Sequence, residues 1–151
     1  MIRLLIIPTF GQAFLYPIMT PQHDITTFDD IKLLVDTFYS KVQKDEFIGP
    51  LFNEKIGNRW PEHLEKMYRF WQTILLDEHS YSGSPFPPHK QLPVAKEHFD
   101  RWIEIFTATI NSLFVGSLAD EANLRAKNMA QMFNYKIDYF RNAEKNQNNK
   151  S

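Results

Sequence analysis

From Phe28 onward, apolar residues recur at helical spacing. Ile31, Leu34, Val35, Phe38 and Val42 fall on one face of a helix. Tyr39, four residues past Val35, borders that face. Thr27 can cap the start, with Asp29 and Asp30 in the favourable first turn, and Gly49-Pro50 is expected to end the unit. A second helix is predicted from about Trp60 to Leu76, with Asn58 as its cap and Pro61 tolerated in the opening turn. Its stripe is Leu64, Met67, Phe70, Trp71, Ile74 and Leu75, and His63 sits one turn before Met67 on the same face. Residues 81–93, YSGSPFPPHKQLP, hold four prolines and a glycine and can form neither a long helix nor a central strand. A third helix is expected after Pro93, reaching Phe114 and stopping at Gly116, with Phe99, Trp102, Ile103, Phe106, Ile110 and Leu113 inward. A fourth runs from Asp120 to about Phe140, with Leu124, Met129, Met132, Phe133, Ile137 and Phe140. Alternation of period two is nowhere sustained, so the chain reads as all-α, four main helices joined by short turns.

This pattern delimits one domain over residues 26–141, a size at which a 151-residue chain buries a core without staples. The preceding residues 1–25 are expected to lie outside the fold. The stretch 1–18 carries only Arg3 and is broken by Pro8, Gly11 and Pro17, so no stable membrane insertion is expected. It reads either as an extension with Met19 as the working start or as a targeting segment without a clear small-residue cleavage site. The polar tail 142–151 is expected to be disordered.

Composition narrows the chemistry. A net charge of -1 with interspersed signs speaks against a nucleic-acid binder. The absence of cysteine excludes disulfides, iron–sulfur clusters, thiolate ligation and cysteine catalysis, and it fits a reducing, cytoplasmic setting. Thirteen Phe, six Tyr and three Trp exceed what a minimal helical core needs. Either the core is unusually aromatic or the rings line a cavity for something flat and apolar. The chain has no G-x-S-x-G, P-loop, G-x-G-x-x-G or H-E-x-x-H motif, and no histidine pair at zinc-site spacing.

His89 follows Pro87-Pro88 in the one stiff, non-helical segment. A metal-ligating imidazole needs a fixed angle and one tautomer, and a restricted backbone helps to hold both. The plainer alternative is a histidine on a surface loop. His63 and Tyr39 are polar residues on apolar faces, and each could equally satisfy a backbone carbonyl or reach water. Trp102, mid-stripe, could be ordinary core. Taken together, three donors on three helices can converge on one pocket.

These stretches also carry a resemblance. Phe38-Tyr39, Gly49-Pro50-Leu51-Phe52-Asn53, Trp60-Pro61-Glu62-His63, Phe70-Trp71 and Leu75-Leu76 stand in order. They are followed by Tyr81-Ser82-Gly83-Ser84-Pro85 leading to His89, then Leu92-Pro93, Phe99-Asp100-Arg101-Trp102, Arg125-Ala126 and Met129-Ala130. Over about residues 26–140 the chain resembles the truncated haemoglobins, specifically their third group. The resemblance implies a shortened globin, a two-over-two helical sandwich around haem b. It implies His89 as the proximal iron ligand, Tyr39 and His63 as distal residues, Trp102 lining the ligand pocket and Phe52 packing on the haem edge. Met67 and Phe70 fall where the distal helix faces the haem, and His98 is a decoy belonging to the third helix. The implied function is binding of dioxygen, nitric oxide or carbon monoxide at a pentacoordinate iron, tight enough for sensing or redox chemistry rather than bulk transport. Nitric oxide dioxygenase or peroxidase activity with an external reductase is the enzymatic alternative. A haem-free helical interaction module is the alternative of a different class.

Overall fold

The computed structural model describes residues 22–150, so residues 1–21, with the apolar stretch and Met19, lie outside the described residues, as does Ser151. Five α-helices account for most of the described chain: α1 (Phe28–Lys44), α2 (Gly49–Ile56), α3 (Trp60–Leu76), α4 (Lys96–Leu113) and α5 (Ser117–Asn148). Among the described residues the only extended pairing is an isolated bridge between His23 and Phe114.

The opening of α1 follows its sequence. Thr27 Oγ1 accepts the Asp30 N–H at 3.2 Å, and the Asp30 carboxylate accepts the N–H groups of Thr26 and Thr27 at 2.9 and 3.0 Å. The predicted stripe and Tyr39 are buried. The helix stops at Lys44, earlier than Gly49-Pro50 led us to expect. Asp45 Oδ1 then accepts from the Phe47 and Ile48 N–H groups at 3.1 and 2.9 Å, turning the chain into α2. Gly49 and Pro50 therefore start a helix rather than end one, because proline in the first turn gives up only an N–H that would lack a helical partner anyway. Glycine is required here: a Cβ on residue 49 would lie 2.8 Å from the Val42 carbonyl oxygen.

The second predicted helix is α3, with Pro61 in its first turn. Asn58 does not cap it. It lies within a 3-10 turn, Gly57–Arg59, that runs directly into α3. After α3 the irregular segment is tied back to that helix. Gln72, buried, donates to Glu78 at 2.6 Å and accepts from the Ser80 hydroxyl at 2.7 Å, while Thr73 Oγ1 accepts the Tyr81 N–H at 3.0 Å. A 3-10 turn, Pro87–His89, carries the histidine of the proline-rich run.

α1 packs on α3 and α4, and α5 packs on α4 and α3. Two apolar clusters result. The larger joins α1, α3 and α4, with Trp71 and Trp102 each stacked on Phe106 and Phe38 edge-on to Trp102 and Phe106. The smaller gathers Phe86 and Val94 against Phe133 and Ile137 of α5.

α5 departs most from expectation. Its buried face is Ala119, Ala122, Ala126, Ala130, Phe133 and Ile137, whereas Leu124 and Met132 are exposed. Small residues let α5 approach its neighbours closely, a signal that apolar bulk does not reveal. The helix begins three residues early because Asp24 caps it, its carboxylate accepting the N–H groups of Leu118 and Ala119, both at 2.9 Å. Ile25 is fully buried in the core. The fold therefore includes residues 23–25, which were expected to lie outside it. At the other end the helix continues through 142–148, where the polar tail was expected to be disordered. Arg141 anchors this end by donating to the Leu92 carbonyl at 2.6 Å, and Phe140 stacks on Phe86. Beyond them Ala143, Glu144 and Lys145 are good helix formers that need no apolar periodicity. Among the described residues no helix is long and apolar enough to cross a membrane.

Candidate functional site

α1, α2, α3, α4 and α5 and the segment after α3 all contribute to one cavity of about 120 Å³, open in part to solvent. All seven residues singled out from the sequence line it: Tyr39, Phe52, His63, Met67, Phe70, His89 and Trp102. The cavity also draws on residues that sequence reasoning left in the core. Met129, Ala130 and Phe133 come from α5, and the Phe133 ring lies 4.9 Å from that of His89. Apolar bulk shows Phe133 and Ile137 on the inward face of α5 but not the alanines beside them, and only the three-dimensional packing brings that face to this wall.

The two histidines are held in different ways. His89 Nδ1–H donates to the Pro85 carbonyl at 2.6 Å. With the proton on Nδ1, the lone pair is on Nε2. Burial pushes the His89 pKa down, against the smaller upward effect of the Pro85 bond, so the imidazole is neutral and able to ligate. The proline-rich backbone thus fixes the angle and the tautomer together.

His63 comes from the first turns of α3. Its ring is edge-on to Tyr39 at 5.0 Å and to Trp60 at 5.6 Å. Its Nε2 is buried without a hydrogen-bond partner. A buried, unsatisfied nitrogen costs about 1–3 kcal/mol, so its place on a cavity wall fits a cavity built to hold a guest. Burial, then the charges of Lys66, His89 and Arg59, lower the His63 pKa to about 4. Tyr39, buried on α1, has its phenol pKa pushed up by burial and stays protonated as a donor. Trp60 touches both Tyr39 and His63 and completes this aromatic wall.

His98 also lines the cavity, but its Nδ1 accepts the Ala95 N–H at 3.0 Å and caps α4, and its ring stacks on Phe47. A second cavity shares Leu51, Phe52, His63, His89 and Leu92 with the first and opens among Lys55, Arg59, Glu62 and Lys66. The interior is therefore apolar and the mouth mainly cationic. Among the described residues no cluster of three or more His, Asp or Glu could hold a bare metal ion. One neutral imidazole on an apolar wall suits a metal whose other ligands come from a cofactor.

The model of the bacterial-like globin family matches residues 24–136. The chain is 35% identical over 109 residues to a group 3 truncated hemoglobin of Campylobacter jejuni, covering 70% of this chain and 86% of the relative. The crystal structure of the group III truncated hemoglobin from Campylobacter jejuni superposes with a TM-score of 0.71 at 32% identity, over 77% of this chain and 94% of that one.

The chain belongs to the group III truncated haemoglobins.

The expected all-α truncated globin fold is thus the observed one, and family membership makes the protein a haem-binding globin. The cavity fits that cofactor on its own evidence. Its walls are apolar and aromatic, one histidine is fixed as a neutral imidazole, and an unpartnered His63 nitrogen is buried in the wall of the same space. A haem-free interaction module accounts for none of these features of the globin.

Proposed function

We propose that this globin uses haem b to bind dioxygen, and with it nitric oxide and carbon monoxide, tightly enough to serve sensing or redox chemistry rather than bulk transport. When bound, haem supplies an iron centre that takes a diatomic gas. His89 Nε2 would hold that iron, with Pro85 fixing its tautomer. Phe52, Met67 and Phe70, which line the cavity, would flank the haem and exclude water. Tyr39, His63 and the Trp102 indole N–H are the donors available to a polarised guest. Each such bond contributes roughly 1–3 kcal/mol to holding it. The observation carrying this reading is the buried, unpartnered Nε2 of His63 on a wall shared with His89. Stopped-flow oxygen release tests it: Tyr39→Phe is expected to release oxygen about tenfold faster than wild type, and release no faster than wild type overturns the tight-binding reading.

A second reading is favoured by the cationic mouth, Lys55, Arg59 and Lys66. Here one nitric oxide, one dioxygen and one electron from an external reductase give one nitrate, or two electrons from that reductase and two protons convert one hydrogen peroxide to two waters. A positive rim suits an acidic electron-donor protein. Catalytic consumption of nitric oxide in the presence of a reductant, beyond one equivalent per haem, supports it; stoichiometric trapping alone overturns it.

A further inference from the structure

α5 is apolar on two sides. One side enters the domain. On the other, Leu124, Met132, Tyr135 and Tyr139 are 53%, 45%, 72% and 61% exposed. At 100° per residue they fall within about a quarter of the helix circumference. Single exposed apolar residues need no explanation, but four of them on one face of one helix, interrupted by Asn128, do. The family match ends at residue 136, so Tyr139 and the turns after it go beyond the shared globin core.

Along one edge of this stripe stand Asp120, Lys127, Asp138 and Lys145, all exposed. Among the described residues none of these four side chains has an ion-pair partner, whereas Arg125 near the other edge is already paired with Glu121 at 2.6 Å. The four charges have an internal symmetry. Reversed end for end about the point between Met132 and Phe133, the row sets Lys127 opposite Asp138 and Asp120 opposite Lys145.

We propose that the solvent face of α5 pairs with the same face of a second copy of this chain, the two helices running antiparallel. In that arrangement the same edge of each helix faces its counterpart, so both acid–base pairs form twice around the two-fold axis while the Leu–Met–Tyr stripe is buried between them. A parallel pairing sets this edge against the one carrying Arg125 and Lys136 and leaves Lys127 facing cations. The face from residue 120 to 145 is about 37 Å long and about 10 Å wide. It hides roughly 400 Å² per protomer, about 800 Å² in all, which is below the roughly 1,200–2,000 Å² of stable interfaces and in the range of weak, transient ones. The dimer is accordingly concentration-dependent rather than obligate.

Sedimentation velocity of the haem-loaded full chain, from low micromolar to near-millimolar, is the test. The expected result is a monomer that converts to a dimer as concentration rises. Tyr135→Glu with Tyr139→Glu should stay monomeric throughout, with unchanged visible spectrum and far-ultraviolet circular dichroism as the control for folding. Lys127→Glu should weaken dimerisation about tenfold, and adding Asp138→Lys should restore it. A wild type that is monomeric at every concentration, or a dimer indifferent to the tyrosine substitutions or to the charge swap, overturns the proposal.

Discussion

The Nδ1–H of His89 is hydrogen-bonded to the carbonyl of Pro85 four residues earlier, at 2.6 Å. This one contact spans the stiffest part of the chain, since Pro85, Pro87 and Pro88 all restrict the backbone between donor and acceptor. It turns a loop histidine into an imidazole of fixed angle and tautomer, and it explains why a small helical domain keeps a non-helical stretch between α3 and α4.

His89→Ala is expected to abolish the histidine-ligated spectrum of the reduced, carbon-monoxide-saturated protein. His98→Ala should leave that spectrum intact and lower stability by only about 1 kcal/mol, the usual contribution of a helix cap, because His98 Nδ1 is committed to the Ala95 N–H. Visible spectra of the two variants beside wild type, with a thermal melt of each, separate ligand from cap.

Removing the buried nitrogen of His63 should act oppositely on stability and on gas retention. His63→Leu is expected to stabilise the haem-free protein by about 1 kcal/mol, since an unpaired polar atom is replaced by apolar surface. In the haem-loaded protein the same change should speed oxygen release. Denaturant titration of apoprotein and stopped-flow release from holoprotein make the pair of measurements, and a loss of apoprotein stability would contradict the assignment.

The lowered pKa of His63 leads to a pH prediction. Burial first, and then the neighbouring cations, hold the folded-state value at about 4, below the ordinary 6.5. The folded protein therefore keeps this histidine neutral at pH values where the unfolded chain protonates it. Its contribution to stability is full above 6.5 and is lost as pH falls toward 4. Oxygen release should accordingly be flat between about pH 5 and 8, and an inflection near 6.5 would show a solvated histidine instead.

Much of this architecture is legible in the residues themselves, and the exceptions have a common physics. Apolar periodicity reveals α1 and α3 because their inward faces are built of bulky residues such as Phe38 and Trp71. The same periodicity misreads α5, whose inward face is largely alanine and whose outward face carries Leu124 and Met132. Pro50 reads as a stop although it opens α2, since a proline in the first turn and a proline past the last look alike without the fold. Tyr39 and His63 stand out as polar residues on apolar stripes and His89 as a histidine in the stiff segment, whereas Phe52, Met67 and Phe70 are implied only by the resemblance. Phe133 and Ala130 are not legible as pocket residues, because only the packing of α5 brings them to the cavity. The role of Asp24 was hidden for a similar reason: its partners, Leu118 and Ala119, are remote in sequence.

Asp24→Ala should be the most damaging exposed-edge substitution outside the pocket. Its carboxylate caps α5 through Leu118 and Ala119, also accepts the Ile25 N–H at 2.9 Å, and sits so close to Gly116 that a Cβ there would meet Asp24 Cγ at 2.4 Å. Gly116 itself has φ 142°, which other residues rarely adopt. Loss of these charge-assisted bonds should cost about 2 kcal/mol, read from urea midpoints. Burial opposes ionisation of Asp24, but the Leu118, Ala119 and Ile25 N–H groups and the Ser117 hydroxyl outweigh it and keep the pKa below 3.8. The stabilisation is thus complete above the ordinary value and lost as pH falls through the lowered one. Wild type and Asp24→Ala should differ fully at neutral pH and converge in acid; a difference that persists unchanged down to pH 2 would mean that the carboxylate charge contributes nothing to the cap.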